Sequence, residues 1–259
     1  SRYDRDELIR FVLTVRKNYR RVAYHNWAHG WSVAHAMFVV LMHHTARDLF
    51  TTHEALALYV SCLCHDLDHR GKSNAYMKSM MTPLASIYTT SVMEHHHFNQ
   101  TVTILQQEGH NILKSMTSNE YKQALSLIKH CILATDLALF FTNKAELNKI
   151  VDSGTYDIKD EHHRSRSDFI IAQHYVQIVN SWGRGSVVYG ASSPTTVGFM
   201  RGICLPCYDL IAKVIPEAAF LRDQCEYNAK KWEELAAEQA ELNKQKTEEA
   251  QQGEEQQKE

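Results

Sequence analysis

Glycine and proline are scarce in this chain, at 10 and 4 of 259 residues. Without regular turn punctuation, the short strands of a sandwich or barrel have no means of reversing, so a strand-rich fold is disfavoured. An excess of one charge is also lacking. The 28 Lys and Arg against 30 Asp and Glu leave −2, so nothing marks a nucleic-acid-binding surface. No apolar run is long enough for a membrane span and no signal peptide is visible, which makes the cytoplasm the expected compartment. The six cysteines (Cys62, Cys64, Cys131, Cys204, Cys207 and Cys225) sit mostly in apolar, helix-like surroundings and read as buried free thiols, not a disulfide framework. Cys204-Leu-Pro-Cys207 is a lone C-x-x-C with no second pair to complete a zinc site.

Apolar residues recur at helical spacing along most of the chain. Residues 4–16 carry Leu8, Ile9, Phe11, Val12 and Val15, and residues 31–42 carry Val33, Ala36, Met37, Val40 and Leu41. Thr51-Thr-His-Glu54 reads as a capping box that opens a helix running through CLCHDLDH to a stop near Gly71. Further helices are predicted over 84–93, 98–108, 118–150 with a break near Asp136, 199–214 and 217–242. The fold class is therefore all-α. Residues 181–196 hold three of the glycines and Pro194 and read as loop, while 229–259, with 5 Lys against 9 Glu, reads as a charged tail, helical at first and disordered from Glu248. This divides the chain into a domain over 1–228 and a tail over 229–259.

Histidine is abundant: 16 residues, many within 25–110. In CLCHDLDHRG, His65 and His69 are spaced i, i+4 and would share a helix face, with Asp66 as an adjacent carboxylate able to bind or bridge cations. YHNWAH places His25 and His29 at the same spacing. Any one of these alone would more often be a satisfied core histidine. Together they exceed what a packed core tolerates, since each buried imidazole needs partners for two nitrogens. His43, His44, His53, His130 and His162 lack such context and read as surface residues. MEHHHFNQ adds Glu94, His95, His96 and His97, where a carboxylate among imidazoles can hold one protonated as a general acid or orient water. Thr135-Asp136 reads equally as a helix cap and as a polar site pair. The assembly points to metal-assisted hydrolysis, with Zn²⁺ suited to the His-rich position and Mg²⁺ or Mn²⁺ to an oxygen-rich neighbour.

YHNWAH, HDLDHRG, EHHHF and TDLALF, in this order and at these spacings, resemble the catalytic domain of class I 3′,5′-cyclic nucleotide phosphodiesterases of the HD superfamily. The wording is most similar to the GAF-containing cGMP-specific and dual-specificity subfamilies, and the resemblance covers about 20–166 and 197–235. It implies a compact multi-helix HD-type domain that hydrolyses cGMP, cAMP or both to 5′-nucleotides at two divalent metal ions, in signal transduction, and that can form homodimers or heterodimers. By resemblance His25 is the general acid with Glu94 as its carboxylate partner; His29, His65 and Asp66 are metal ligands; His69, His95 and Thr135 act through water beyond them; and Tyr24 and Phe199 line the substrate pocket.

The chain departs from that pattern after HRSR. The family places a second metal-binding Asp ten residues past the position of Arg166, where this chain has Val176, and a purine-reading Gln three residues before the clamping Phe, where it has Thr196. Asp168 and His174 are poorly phased substitutes. The stretch 167–196 thus reads as replaced and shortened, with part of the C-terminal helices lost and activity weak or absent. A regulatory, dimerising variant of such an enzyme is the competing expectation.

Overall fold

The computed structural model describes residues 4–42, 50–154, 197–214 and 219–256, and the described residues are helical with no strand. They fall into two units, 1–187 and 188–259.

In the first unit, α1 (Arg5–Asn18) starts where the Asp4 carboxylate accepts from Asp6 and Glu7 N–H, carries Arg16 and Lys17 in its last turn, and buries Phe11 and Val15. Tyr19 is extended and ends it. α2 (Trp27–Met42) opens under Asn26, whose Oδ1 accepts from Ala28 and His29 N–H. α3 (Thr52–Cys64) has the expected capping box between Thr51 and Glu54. Two short helices follow: α4 (Asn74–Ser79), capped by Ser73, and α5 (Pro83–Ile87), with Thr82 as cap and Pro at its first position. α6 (Val92–Leu105), α7 (Ser118–Leu133) and α8 (Leu137–Asp152) complete the unit.

α3 is the central element, packed against α7, α2 and α6. Leu58 and Ile128 are fully buried in that core, and each such side chain contributes about 1.5–3 kcal/mol by leaving water. A smaller cluster of Met77, Val92 and Met93 gathers Leu84, Ala85 and Tyr88 from α5 and its C-terminal end. The break near Asp136 is present, with Asp136 capping α8 through Ala138 N–H. Residues 84–93 and 98–108 do not form two helices as predicted. The chain leaves α5 at extended Tyr88 and re-enters helix after Ser91, held at φ 43°, so α6 runs unbroken through the predicted gap.

In the second unit a π-helical turn (Met200–Cys204) leads into α9 (Leu205–Val214). Pro206 lacks the N–H that Gly202 O would otherwise receive, and its ring crowds that carbonyl; the helix widens, with Leu205 N–H bonded to Met200 O. α10 (Ala219–Gln256) packs on α9 and on the π-helical turn, where Arg201 pairs with Glu226 and Glu233. α10 continues to Gln256, past Glu248, where a disordered end was expected, so the acidic tail extends one helix. All six cysteines are free and buried.

Candidate metal and active site

The two i, i+4 histidine pairs do not lie on helical faces. α3 ends at Cys64, and residues 65–68 form a turn, with Leu67 N–H to Cys64 O and His69 N–H to Asp66 O. Asp68 sits at φ 57°, a left-handed conformation rare outside glycine. It is held by tertiary partners: its N–H donates to Asn18 O, and its carboxylate accepts from Arg20, Arg70 and His96. Likewise His25 lies in a bend before α2, and only His29 is helical. The turn aims both His65 and Asp66 inward, where they meet His29.

His29 Nε2 and His65 Nε2 are 3.2 Å apart, and Asp66 Oδ2 lies 3.3 Å from the first and 3.1 Å from the second. His65 Nδ1–H donates to Cys62 O at 2.8 Å, which leaves the Nε2 lone pair pointing into this triangle. Asp66 Oδ2 is buried and accepts no hydrogen bond. Burial pushes the Asp66 carboxyl up, but His65 first and then His29 outweigh it and hold the group well below the usual carboxylate range. A buried carboxylate beside two buried imidazoles, with the His65 Nε2 lone pair turned toward it, calls for a cation. The fit is also geometric, because metal–nitrogen and metal–oxygen bonds of about 2.0–2.2 Å in a tetrahedron give edges of roughly 3.3 Å. His29, His65 and Asp66 therefore match a divalent metal, and His25, Asp66 and His69 form a second group of donors close enough to share an ion.

The imidazoles around this triangle are stacked. His69 lies 3.9 Å from His25 and 5.5 Å from His97, each ring tilted by 22°. Gly71 N–H donates to His69 Nδ1, and burial lowers the His69 pKa. Tyr24 packs its ring on both His25 and His29, at 4.8 and 4.7 Å. Glu94 is half-buried, and burial pushes its carboxyl up to about 7 against the pull of a hydrogen bond from Asn74. His95 and Thr135 have local partners: His95 Nδ1–H donates to the carbonyls of Thr90 and Ser91, and the Thr135 hydroxyl donates to Ile132 O at 2.7 Å. Phe199 belongs to the second unit, half-buried at the start of the π-helical turn. Arg166, Asp168, His174, Val176 and Thr196, like His43, His44 and His162, lie outside the described residues.

Several contributors escape a motif-level reading. The Tyr19 hydroxyl donates to Leu63 O at 2.9 Å and accepts from Asp66 N–H at 3.4 Å, tying the ligand turn to the end of α1. Asn26 both caps α2 and donates back to Val22 O, which sets the first turn that carries His29. His97 is buried, donates from Nδ1 to Leu67 O, and places Nε2 3.8 Å from Asp66 Oδ1; burial lowers its pKa to about 3. Of these, Asn26 inside YHNWAH offered a signal as an N-cap residue type before an apolar run, and His97 stood in the MEHHHFNQ cluster without a role of its own; Tyr19 offered none.

An all-α bundle that converges two buried histidines and an aspartate on one point has the donor set of a metal-dependent hydrolase. Residues 24–181 match the family described as 3′5′-cyclic nucleotide phosphodiesterase, and the chain belongs to that family. It is 60% identical over 270 aligned positions to the probable 3′,5′-cyclic phosphodiesterase pde-5 of Caenorhabditis elegans, covering 92% of this chain and 37% of that protein. The aligned length exceeds this chain's 259 residues, so that relative carries residues with no counterpart here. Identity is 36% to the dual 3′,5′-cyclic-AMP and -GMP phosphodiesterase 11A of Takifugu rubripes, covering 90% of this chain and 30% of the relative. It is 34% to the cGMP-specific 3′,5′-cyclic phosphodiesterase of Drosophila melanogaster, covering 89% and 24%. The chain thus spans about a third of the length of these relatives. The fold is similar to that of the phosphodiesterase domain of the RhoPDE fusion protein from the choanoflagellate Salpingoeca rosetta, with a TM-score of 0.81 at 22% identity over 92% of this chain and 86% of that one. No described helix is long and apolar enough to cross a membrane.

Proposed function

We propose that this chain is a metal-dependent, cytoplasmic 3′,5′-cyclic nucleotide phosphodiesterase domain acting on cGMP, cAMP or both, with turnover weakened by its departures at Val176 and Thr196. The observation that carries the reading is the triangle of His29, His65 and Asp66, whose 3.1–3.3 Å spacings suit a divalent ion. Zn²⁺ suits the two imidazoles, and Mg²⁺ or Mn²⁺ suits a second position sharing Asp66. Bound cations there supply the positive charge that lets an anionic phosphodiester accept a nucleophile.

The chain's own residues do the rest. His25, stacked on His69, donates the proton to the departing 3′ oxygen, and Glu94 favours its protonated form. Tyr24 packs against the rings of both His25 and His29 and lines the pocket. His69, His95 and Thr135 orient water around the ligands. A second reading, a partner-binding variant that keeps the fold and donors without turnover, is favoured by the same two departures.

The test is hydrolysis of cGMP and of cAMP by the purified chain with Zn²⁺, Mg²⁺ or Mn²⁺, beside a V176D/T196Q variant and D66A. The reading expects 5′-nucleotide from the chain, more from V176D/T196Q, and none from D66A. Turnover that survives D66A or chelation would reject the metal site, and metal-loaded chain and double variant both silent would favour the partner-binding reading.

A further inference from the structure

α6 begins without a cap of its own. Ser91 precedes it at φ 43°, its side chain makes no capping bond, and its hydroxyl instead donates to Asp136 Oδ2 at 2.7 Å. The acceptor for the first turn comes from elsewhere. Asn74, the first residue of α4, accepts from Met93 N–H through Oδ1 at 2.9 Å, and donates from Nδ2 to Glu94 Oε2 at 2.8 Å.

These two bonds decide each other. With the Oδ1 end committed to a backbone N–H, the amide cannot flip, so Nδ2 must face the carboxyl of the next residue. A donor in that place favours an accepting, ionised carboxylate. Burial opposes it, which is why Glu94 sits near 7. Asp136 and Asp66 add like charge from the same side of the balance.

We propose that Asn74 is a positioning residue for Glu94: it caps α6 from outside and holds the adjacent, half-buried carboxyl in one orientation. The catalytic consequence, a carboxyl held in place as the partner of His25, rests on the reading given above; the clamp itself does not.

The test reads the carboxyl directly, by ¹³C NMR titration of the full chain with the Glu94 signal assigned from E94Q. In the unaltered chain the midpoint lies near 7. In N74A and in N74L, which keeps the side-chain bulk, it rises by about one pH unit, the scale of one hydrogen bond to a charged group. The signal of Glu120, whose carboxylate binds Thr117 N–H at another helix start, stays where it was. A purely structural cap would lower stability and leave the Glu94 midpoint unmoved, and that result overturns the proposal. Should neither variant fold, the Nδ2 hydrogens of Asn74 in the unaltered chain must shift with the Glu94 midpoint, and their failure to do so is equally decisive. No arm needs turnover, so a chain that hydrolyses nothing while Glu94 answers to Asn74 rejects the enzymatic reading and leaves the clamp.

Discussion

Gly30→Ala tests whether the ligand turn is anchored through Tyr19. A Cβ at position 30 would fall 2.5 Å from the Tyr19 hydroxyl oxygen and 2.7 Å from Cζ, about an ångström inside ordinary contact. Tyr19 is buried and its hydroxyl bridges Leu63 O and Asp66 N–H, so a shift of the ring breaks one or both bonds. Overpacking costs about 1–3 kcal/mol, and a buried polar group left unpaired costs a similar amount. Ala in place of a helical Gly returns about 1 kcal/mol. The expected net loss is about 2–4 kcal/mol in urea denaturation of chelated protein, at unchanged slope. Tyr19→Phe removes the nearest atom, so Gly30→Ala should cost at least about 1 kcal/mol less in that background. A neutral or stabilising Gly30→Ala, as helix propensity alone would give, or equal costs in both backgrounds, refutes the reasoning.

Glu94→Gln should remove a pH dependence of stability. The folded-state pKa of about 7 lies above the ordinary 4.5, so the folded chain prefers the protonated form; that stabilisation is complete below about pH 4.5 and is lost as pH rises through 7. In metal-free protein, the advantage of E94Q over the unaltered chain should grow by roughly 3 kcal/mol between pH 4.5 and 8, at about 1.4 per unit, and a flat difference in thermal or urea melts sinks it. Chelation should lower the Tm of the unaltered chain but not of D66A, and metal analysis should find D66A depleted; equal metal content in both refutes the ligand assignment. Thr51→Ala should cost about 1 kcal/mol in urea denaturation through loss of the capping box that starts α3.

The sequence exposed most of the fold where local chemistry decides local structure. The Thr51–Glu54 box, the Asp136 break and the buried thiols all follow from residue type and spacing. What it hid was where helices stop in the absence of glycine or proline. His65 and His69 keep helical spacing, yet the chain turns at Asp68 because Arg20, His96 and Asn18, all distant in sequence from it, stabilise a left-handed residue there. The same tertiary override places Ser91 at positive φ and lets Asn74 cap a helix eighteen residues away. The donor identities were legible from motifs and spacing; the supports under them were not, because Tyr19 and Asn74 are common residue types whose roles arise only from packing.

Metal binding and turnover separate on this architecture. Among the described residues, the groups that build and prop the donor triangle belong to the first unit: the end of α1 aligns the ligand turn, Asn26 sets His29, and α6 brings His97. The family match runs on to residue 181, past Arg166, where the resemblance was expected to break off, and the departures that bear on turnover are single positions, Val176 and Thr196. A chain altered there can keep a site that holds a cation while losing a ligand and the reader of the base. Three protein ligands are still a workable count for a divalent metal, though with a weaker hold than four. For this reason metal content alone cannot decide between an enzyme and a partner-binding variant, whereas the comparison with V176D/T196Q can.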